Sequence, residues 1–496
     1  MLFNSLQFLV FFPVSTGLFY LLPHRFRWSM LLAASCIFYM AFIPAYILIL
    51  AVLIVIDYSA GLLIERARGR WRSYLLVTSV LATCTALLLF KYFDFYAVNI
   101  TALAGFLHWN YHVDVLNIVL PIGLSFHTFQ SLAYVIEVYR GNFKAERHIG
   151  IYALYVMFYP QLVAGPIERP GNLLPQFRKE CVFESQGVID GLKLMVWGLF
   201  QKVVIADRLA PFVNTAFADT GRYGGPTLLV ATVFFSFQIY CDFSGYSDIA
   251  RGAARTMGFH LMRNFDRPYL ATSISEFWSR WHISLTSWFR DYIYIPLGGN
   301  RVTTLLMCAN LMITFLICGL WHGARWTFVA WGALNGALLI AGAVTRGWQE
   351  KLAHTIGLAG LPGVRRLANT MILFSIICAG WILFRADTLH DAGLILKKII
   401  VDAVDIPSIV YGFLVSSPRL SGPDFAPLGQ SLKDFYLSLA LLVLVMLLDA
   451  FRGRKEVTDI FNGRSPVLRW LFYYFLVLGI MFLGKFGNRQ FIYFQF

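Results

Sequence analysis

The sequence predicts an all-α polytopic membrane protein, and three observations carry that prediction. Its 496 residues are 58% hydrophobic and only 14% charged, with a mean hydropathy of +0.64, well beyond the range of soluble domains. The apolar residues fall in continuous runs. A hydrocarbon core of ~30 Å needs roughly 20 apolar residues per helix, and about 11–13 such segments fit along the chain. A lipid-facing barrel would instead show alternating segments of about ten residues, which the continuous runs exclude. No internal repeat or low-complexity tail breaks the chain, so residues 1–496 read as a single transmembrane domain.

The net charge of +14 comes from Lys and Arg gathered in short loops between apolar runs. That distribution marks cytoplasmic loops facing anionic lipid and argues against nucleic acid as a partner. The seven cysteines are scattered, mostly in apolar runs, without CxxC or metal-like spacing, and read as small core residues. No metal site is expected.

The first span, about 6–22, lacks the basic start and cleavage site of a signal peptide and is read as retained. Spans two and three, about 30–48 and 49–64, follow with almost no loop between them. The basic loops at Arg25, Arg27 and at Arg66–Arg72 are then cytoplasmic, which puts the N-terminus outside. Span four (about 74–90) exits to an outer loop at 99–114, and span five starts near Leu116 and includes Pro121–Gln130. In Tyr159–Pro170, prolines flanking a glycine in an apolar run cannot form a plain helix, so a re-entrant or broken helix is expected. Spans at about 188–205 and 227–240 follow, the second closed by Asp242 and Asp248, which should face a polar interior or the interface.

Residues 251–301 are rich in arginine interleaved with Phe, Tyr and Trp, and suit cytoplasmic helices lying in the membrane interface. Spans at about 303–320, 326–343, 370–384, 435–448 and 471–482 complete the set, with an outer loop at 402–433 and a C-terminal aromatic tail at 491–496 placed outside.

Aromatic, cationic and imidazole groups are densest between Phe277 and His322. The run Phe277, Trp278, Ser279, Arg280, Trp281, His282 opens this stretch, and Trp321, His322, Gly323, Ala324 close it. A neutral imidazole is the natural general base for removing a proton from a hydroxyl, and hydroxyl attack on an activated acyl group fits that chemistry. Each histidine taken alone reads equally as a buried side chain bonded to a carbonyl. His127 reads as a packed, hydrogen-bonded residue. A polysaccharide or lipid transporter without covalent chemistry is the rival class, although its signature of paired broken helices is represented by one broken stretch here.

The segments 277–299, 321–324, 242–248, 121–130 and 159–170 together resemble the membrane-bound O-acyltransferase (MBOAT) family, most closely its bacterial alginate O-acetyltransferase branch, over nearly the whole chain. That resemblance implies a helical ring around a central tunnel, with His322 catalytic and His282 its partner. It further implies acetyl-CoA as a cytoplasmic acyl donor, with no permanently bound cofactor. The acetyl group would cross a bacterial inner membrane toward an exported polysaccharide by way of periplasmic SGNH-type transferases. Donor contacts are expected from Arg280, Arg290 and Trp281, with lipid headgroups as the competing partners of the arginines. A carrier-protein donor, as in the D-alanyl branch of the family, is the alternative. The ending Phe491–Phe496 also resembles that of bacterial relatives and suggests Tyr493 as a transient acyl carrier, against a plain interfacial aromatic anchor. His127 departs from the aromatic expected at its position.

Overall fold

The computed structural model describes the chain except for residues 117–120, 406–427, 454, 461–464, 488–490 and 493–496. Among the described residues there is no strand. Among the described residues eight helices are long and apolar enough to cross a membrane: Tyr46–Arg66, Arg70–Phe106, Gly225–Arg255, Thr304–His322, Trp326–Val344, Pro362–Arg385, Leu432–Phe451 and Pro466–Leu483. Other segments of the larger set expected from sequence are shorter helices, such as Leu6–Leu21 with 16 residues and His24–Met40 with 17. The helices group into two compact units, where the sequence shows no boundary.

The first unit comprises residues 1–198 and 246–263. It begins with α1 (Leu6–Leu21), α2 (His24–Met40), α3 (Tyr46–Arg66) and α4 (Arg70–Phe106). α4 passes through a π-helical turn at Leu88–Tyr92 and ends only at Phe106, so the first part of the loop expected at 99–114 is helix. Asp57 in α3 is fully buried and accepts the hydroxyls of Ser79 and Thr83 from α4, both at 2.9 Å. α5 (Leu124–Arg140) starts later than the expected span because Gly123 (φ 79°) is left-handed, a conformation that ends regular helix before it begins. α6 (Ile149–Met157) stops before Pro160, and α7 (Pro170–Arg178) restarts with proline at its first position.

The intervening residues 158–168 are buried irregular backbone, the broken stretch the prolines predict. Several of their polar groups are satisfied internally. The Tyr159 amide donates to Ser35 Oγ (3.0 Å), and Tyr155 Oη donates to the Glu168 carbonyl (2.9 Å). The Glu168 carboxylate accepts from Asn172 Nδ2 (2.6 Å) and the Met262 amide (2.5 Å). α8 (Ser185–Leu199) leaves this unit.

The second unit comprises residues 199–245 and 264–492. A π-helical turn at Phe200–Ala206 continues α8 into α9 (Asp207–Ala218). α10 (Gly225–Arg255) runs straight through Asp242 and Asp248 rather than ending before them. The carboxylate of Asp242 is tolerated mid-helix because Lys202 Nζ lies 2.5 Å from it, deep in the unit. α11 (Ile274–Arg280) and α12 (Ile283–Phe289) are only seven residues each. Ser273 caps α11 by accepting the Glu276 amide, while Glu276 reaches back to the Thr272 amide (2.7 Å). Phe265, Tyr269, Phe277, Trp278, Trp281, Trp288 and Phe289 are all buried within the protein. They pack on one another, Phe277 stacking on Trp281 at 5.6 Å and Phe265 meeting it edge-on at 5.1 Å.

α13 (Thr304–His322) and α14 (Trp326–Val344) form a tight hairpin, followed by α15 (Arg346–Thr355), α16 (Pro362–Arg385), α17 (Leu389–Val401), α18 (Leu432–Phe451) and α19 (Pro466–Leu483). Most of the expected outer loop at 402–433 lies outside the described residues. The hairpin is close because glycines face each other. A Cβ on Gly319 would stand 2.3 Å from the Phe328 carbonyl oxygen, and one on Gly332 2.4 Å from the Phe315 carbonyl oxygen. Gly319→Val should therefore lower stability by roughly 1–3 kcal/mol through forced separation of two backbones. Gly336→Ala, which meets the movable Met312 side chain, should cost less. Thermal unfolding followed by size-exclusion fluorescence in detergent checks the order of the two variants; equal midpoints would contradict it.

Candidate functional site

The two histidines that bound the dense stretch lie in the second unit, and the structure brings both against one indole. His322 ends α13, with its ring 4.8 Å from that of Trp321, and the His282 ring is 6.3 Å from the same indole. Both imidazoles are buried, at 1% exposure for His282 and 6% for His322. His322 is otherwise walled by Trp331 (5.0 Å) and Phe384 (5.1 Å), each edge-on to it. His282 meets Phe243 of α10 edge-on at 4.6 Å.

The backbone at His282 is left-handed (φ 42°), a conformation costing a non-glycine residue ~1–2 kcal/mol. Neighbouring hydrogen bonds fix it. The Ile283 amide donates to the Asn264 carbonyl (2.9 Å), the Ser284 amide to Asn264 Oδ1 (3.3 Å), and the Asp266 amide to the Arg280 carbonyl (2.9 Å). The chain from 264 to 266 thus braces the corner between α11 and α12, and that corner aims the imidazole inward. Strain held in place by surrounding contacts is common where a side chain must be presented at a defined angle.

The wall behind His322 is similarly fixed. Trp381 Nε1 donates to Tyr269 Oη (3.2 Å), which in turn donates to the Ser236 carbonyl (2.5 Å). Trp381 then supports Phe384 at 5.4 Å and Trp331 at 6.2 Å. Tyr240 adds a buried polar anchor, donating to Asp449 (2.9 Å), itself paired with Arg452 (2.7 Å). Sequence reasoning missed Asn264, Tyr240, Tyr269 and Trp381. Tyr240 and Trp381 carried only the signal of an aromatic with a polar atom inside an apolar run, and Asn264 and Tyr269 sit in a mixed polar stretch that gives none.

The expected donor-binding residues lie in different surroundings. Trp281 is fully buried, 4.8 Å from Trp381, so its ring belongs to the aromatic core and offers no open face to a nucleotide. Arg280 is held by Glu276 (2.5 Å) and by the Arg267 carbonyl (3.3 Å). Arg290 pairs with Asp291 (2.8 Å) and keeps 62% of its side chain exposed, which leaves it able to meet an anionic group. Tyr493 lies outside the described residues, immediately after the buried Ile492. His127 belongs to the first unit, buried in α5 with its ring 6.3 Å from Tyr39. Among the described residues no cluster of His, Cys, Asp or Glu could hold a metal ion.

Burial pushes the His282 imidazole down to about 3, so it is neutral throughout the physiological range and can accept a hydrogen bond. Between the ordinary histidine value and about 3, the unfolded chain binds a proton that the folded chain refuses. Its contribution to stability is therefore complete above about pH 6.5 and is lost as the pH falls through that window. His282→Asn should flatten this acid-side loss in chemical-denaturation curves recorded from pH 7 to 4. An unchanged slope would contradict the burial argument.

The residues 147–379 match the model of the membrane-bound O-acyltransferase family. The chain is 39% identical over 398 residues to a probable alginate O-acetylase of Azotobacter vinelandii, covering 79% of this chain and 76% of the relative. A probable alginate O-acetylase of Pseudomonas aeruginosa is 38% identical over 399 residues, 79% of this chain and 73% of the relative. A peptidoglycan O-acetyltransferase of Helicobacter pylori is 34% identical over 433 residues, 81% and 80% of the two chains. With its buried histidines on one helix-end indole and its apolar spans, the chain belongs to the membrane-bound O-acyltransferase family and is a multi-pass membrane acyltransferase.

Proposed function

We propose that this enzyme moves an acetyl group from cytoplasmic acetyl-CoA across a bacterial inner membrane toward O-acetylation of an exported, alginate-like polysaccharide. The observation that carries the reading is the pair of buried imidazoles against Trp321, in a chain whose relatives are named as O-acetylating enzymes. His322 acts as general base. It takes the proton of the attacking hydroxyl as the oxygen adds to the thioester carbonyl, and returns a proton to the thiolate as the carbon–sulfur bond breaks. His282, neutral and held at a fixed angle, orients the thioester. The aromatic wall excludes water, which favours transfer over hydrolysis. Arg290 and Arg280 meet the donor's phosphates at the cytoplasmic face.

The acetyl group then rests on Tyr493 of the C-terminal tail as a phenolic ester, from which a periplasmic SGNH-type transferase takes it to the polysaccharide. Both termini lie on the periplasmic side in this arrangement, in keeping with the basic loops that mark the opposite face.

Purified protein in lipid nanodiscs, given acetyl-CoA labelled in the acetyl group, tests the reading. His322→Ala should slow thioester cleavage by about 100-fold or more, the scale of general-base assistance. Loss of the last six residues should leave cleavage but abolish label retained on the chain. Full activity in His322→Ala contradicts the role of this histidine. Retained label after truncation contradicts the tyrosine carrier, and cleavage with a charged carrier protein but not acetyl-CoA contradicts the donor.

A further inference from the structure

Lys202, Asp207 and Asp242 form a buried charge cluster that the acyl-transfer chemistry does not use. Lys202 Nζ is 2.5 Å from Asp242 Oδ1 and 3.1 Å from Asp207 Oδ1, and none of the three side chains exceeds 9% exposure. One cation facing two carboxylates leaves negative charge to be met by further donors, since a buried carboxylate oxygen is costly without one. At Asp242 Oδ2 the donor is the backbone amide of Ile492, at 2.7 Å and 250 residues away in the chain.

The surroundings lead the chain's end to this point. After α19, the Leu483 carbonyl accepts from Arg208 Nη2 (2.5 Å), and the Lys485 amide donates to the Val203 carbonyl (2.9 Å). Val203 and Lys202 both lie in the π-helical turn Phe200–Ala206, a widened backbone of the kind found at functional sites. Phe491 and Ile492 are then 1% and 2% exposed. Phe243, adjacent to Asp242, touches Phe491 at 5.4 Å with one side of its ring system and His282 at 4.6 Å. The last described residues of the chain are therefore one ring removed from a site histidine.

We infer that Asp242, held by Lys202, is a positioning residue that latches the C-terminal segment beside His282. The latch acts through a backbone amide, so it holds Ile492 in place whatever side chain that residue carries. The inference rests on the reading that Tyr493, the next residue, carries the acyl group, and it supplies the anchor such a carrier needs.

The test uses the full chain in nanodiscs with acetyl-labelled acetyl-CoA. Hydrogen exchange reads the Ile492 amide, and the ratio of label retained on protein to thioester cleaved reads positioning. Asp242→Ala should speed exchange at Ile492 by about tenfold or more. Ile492→Pro removes the donated N–H and leaves the ion cluster intact; it should lower the label-to-cleavage ratio about tenfold, while Ile492→Val, which keeps the amide, should not. If Asp242→Ala fails to fold, Ile492→Pro decides. Unchanged exchange in a folded Asp242→Ala, or an unchanged ratio in Ile492→Pro, overturns the latch. If Tyr493→Phe keeps the ratio while Ile492→Pro lowers it, the latch stands and the tyrosine carrier fails.

Discussion

Every polar group that this chain carries to membrane depth must find its partner inside the protein, because hydrocarbon offers none. The consequences recur along the chain. Asp57 takes two hydroxyls from the neighbouring helix, and Glu168 gathers an amide and a carboxamide to hold irregular backbone together. Asp242 takes a lysine and the amide of a residue at the far end of the sequence. Each bond also fixes a direction, so satisfying buried polarity and shaping the interior are one process.

The site histidines obey the same constraint in a different way. Aromatic rings lie against both, and burial keeps the imidazole of His282 neutral. An aromatic wall is also rigid. Trp381, Tyr269 and Ser236 tie it to α10 by hydrogen bonds, and the glycines of α13 and α14 let His322 approach the wall without a gap between helices. A wall fixed in this way holds both imidazoles in place without rearrangement of the protein.

Much of this was legible in the sequence, and the misreadings have physical causes. The all-helical class and the broken stretch between Tyr159 and Pro170 follow from apolar runs and proline, and side-chain type singles out His282 and His322, whose rings both meet Trp321. The end of α10 was misplaced because Asp242 looks like a helix terminus until its partner is known, and Lys202 lies forty residues earlier in an apolar run. Composition alone does not distinguish a ring facing headgroups from one facing other rings, so the packing of Trp278, Trp281 and Trp288 on neighbouring rings was not legible in the sequence. The start of α5 depended on one left-handed glycine, Gly123. The tail's anchoring could not be read at all, since a backbone amide leaves no trace in the side-chain sequence.

We propose that His282 and His322 act as one unit across Trp321. A single-turnover double-mutant cycle on thioester cleavage, with His282→Ala, His322→Ala and both together, addresses it most directly. Residues that serve one step are strongly non-additive, so the double variant should be about as slow as the slower single variant. Fully additive losses, each histidine slowing cleavage by its own factor in either background, would contradict the claim.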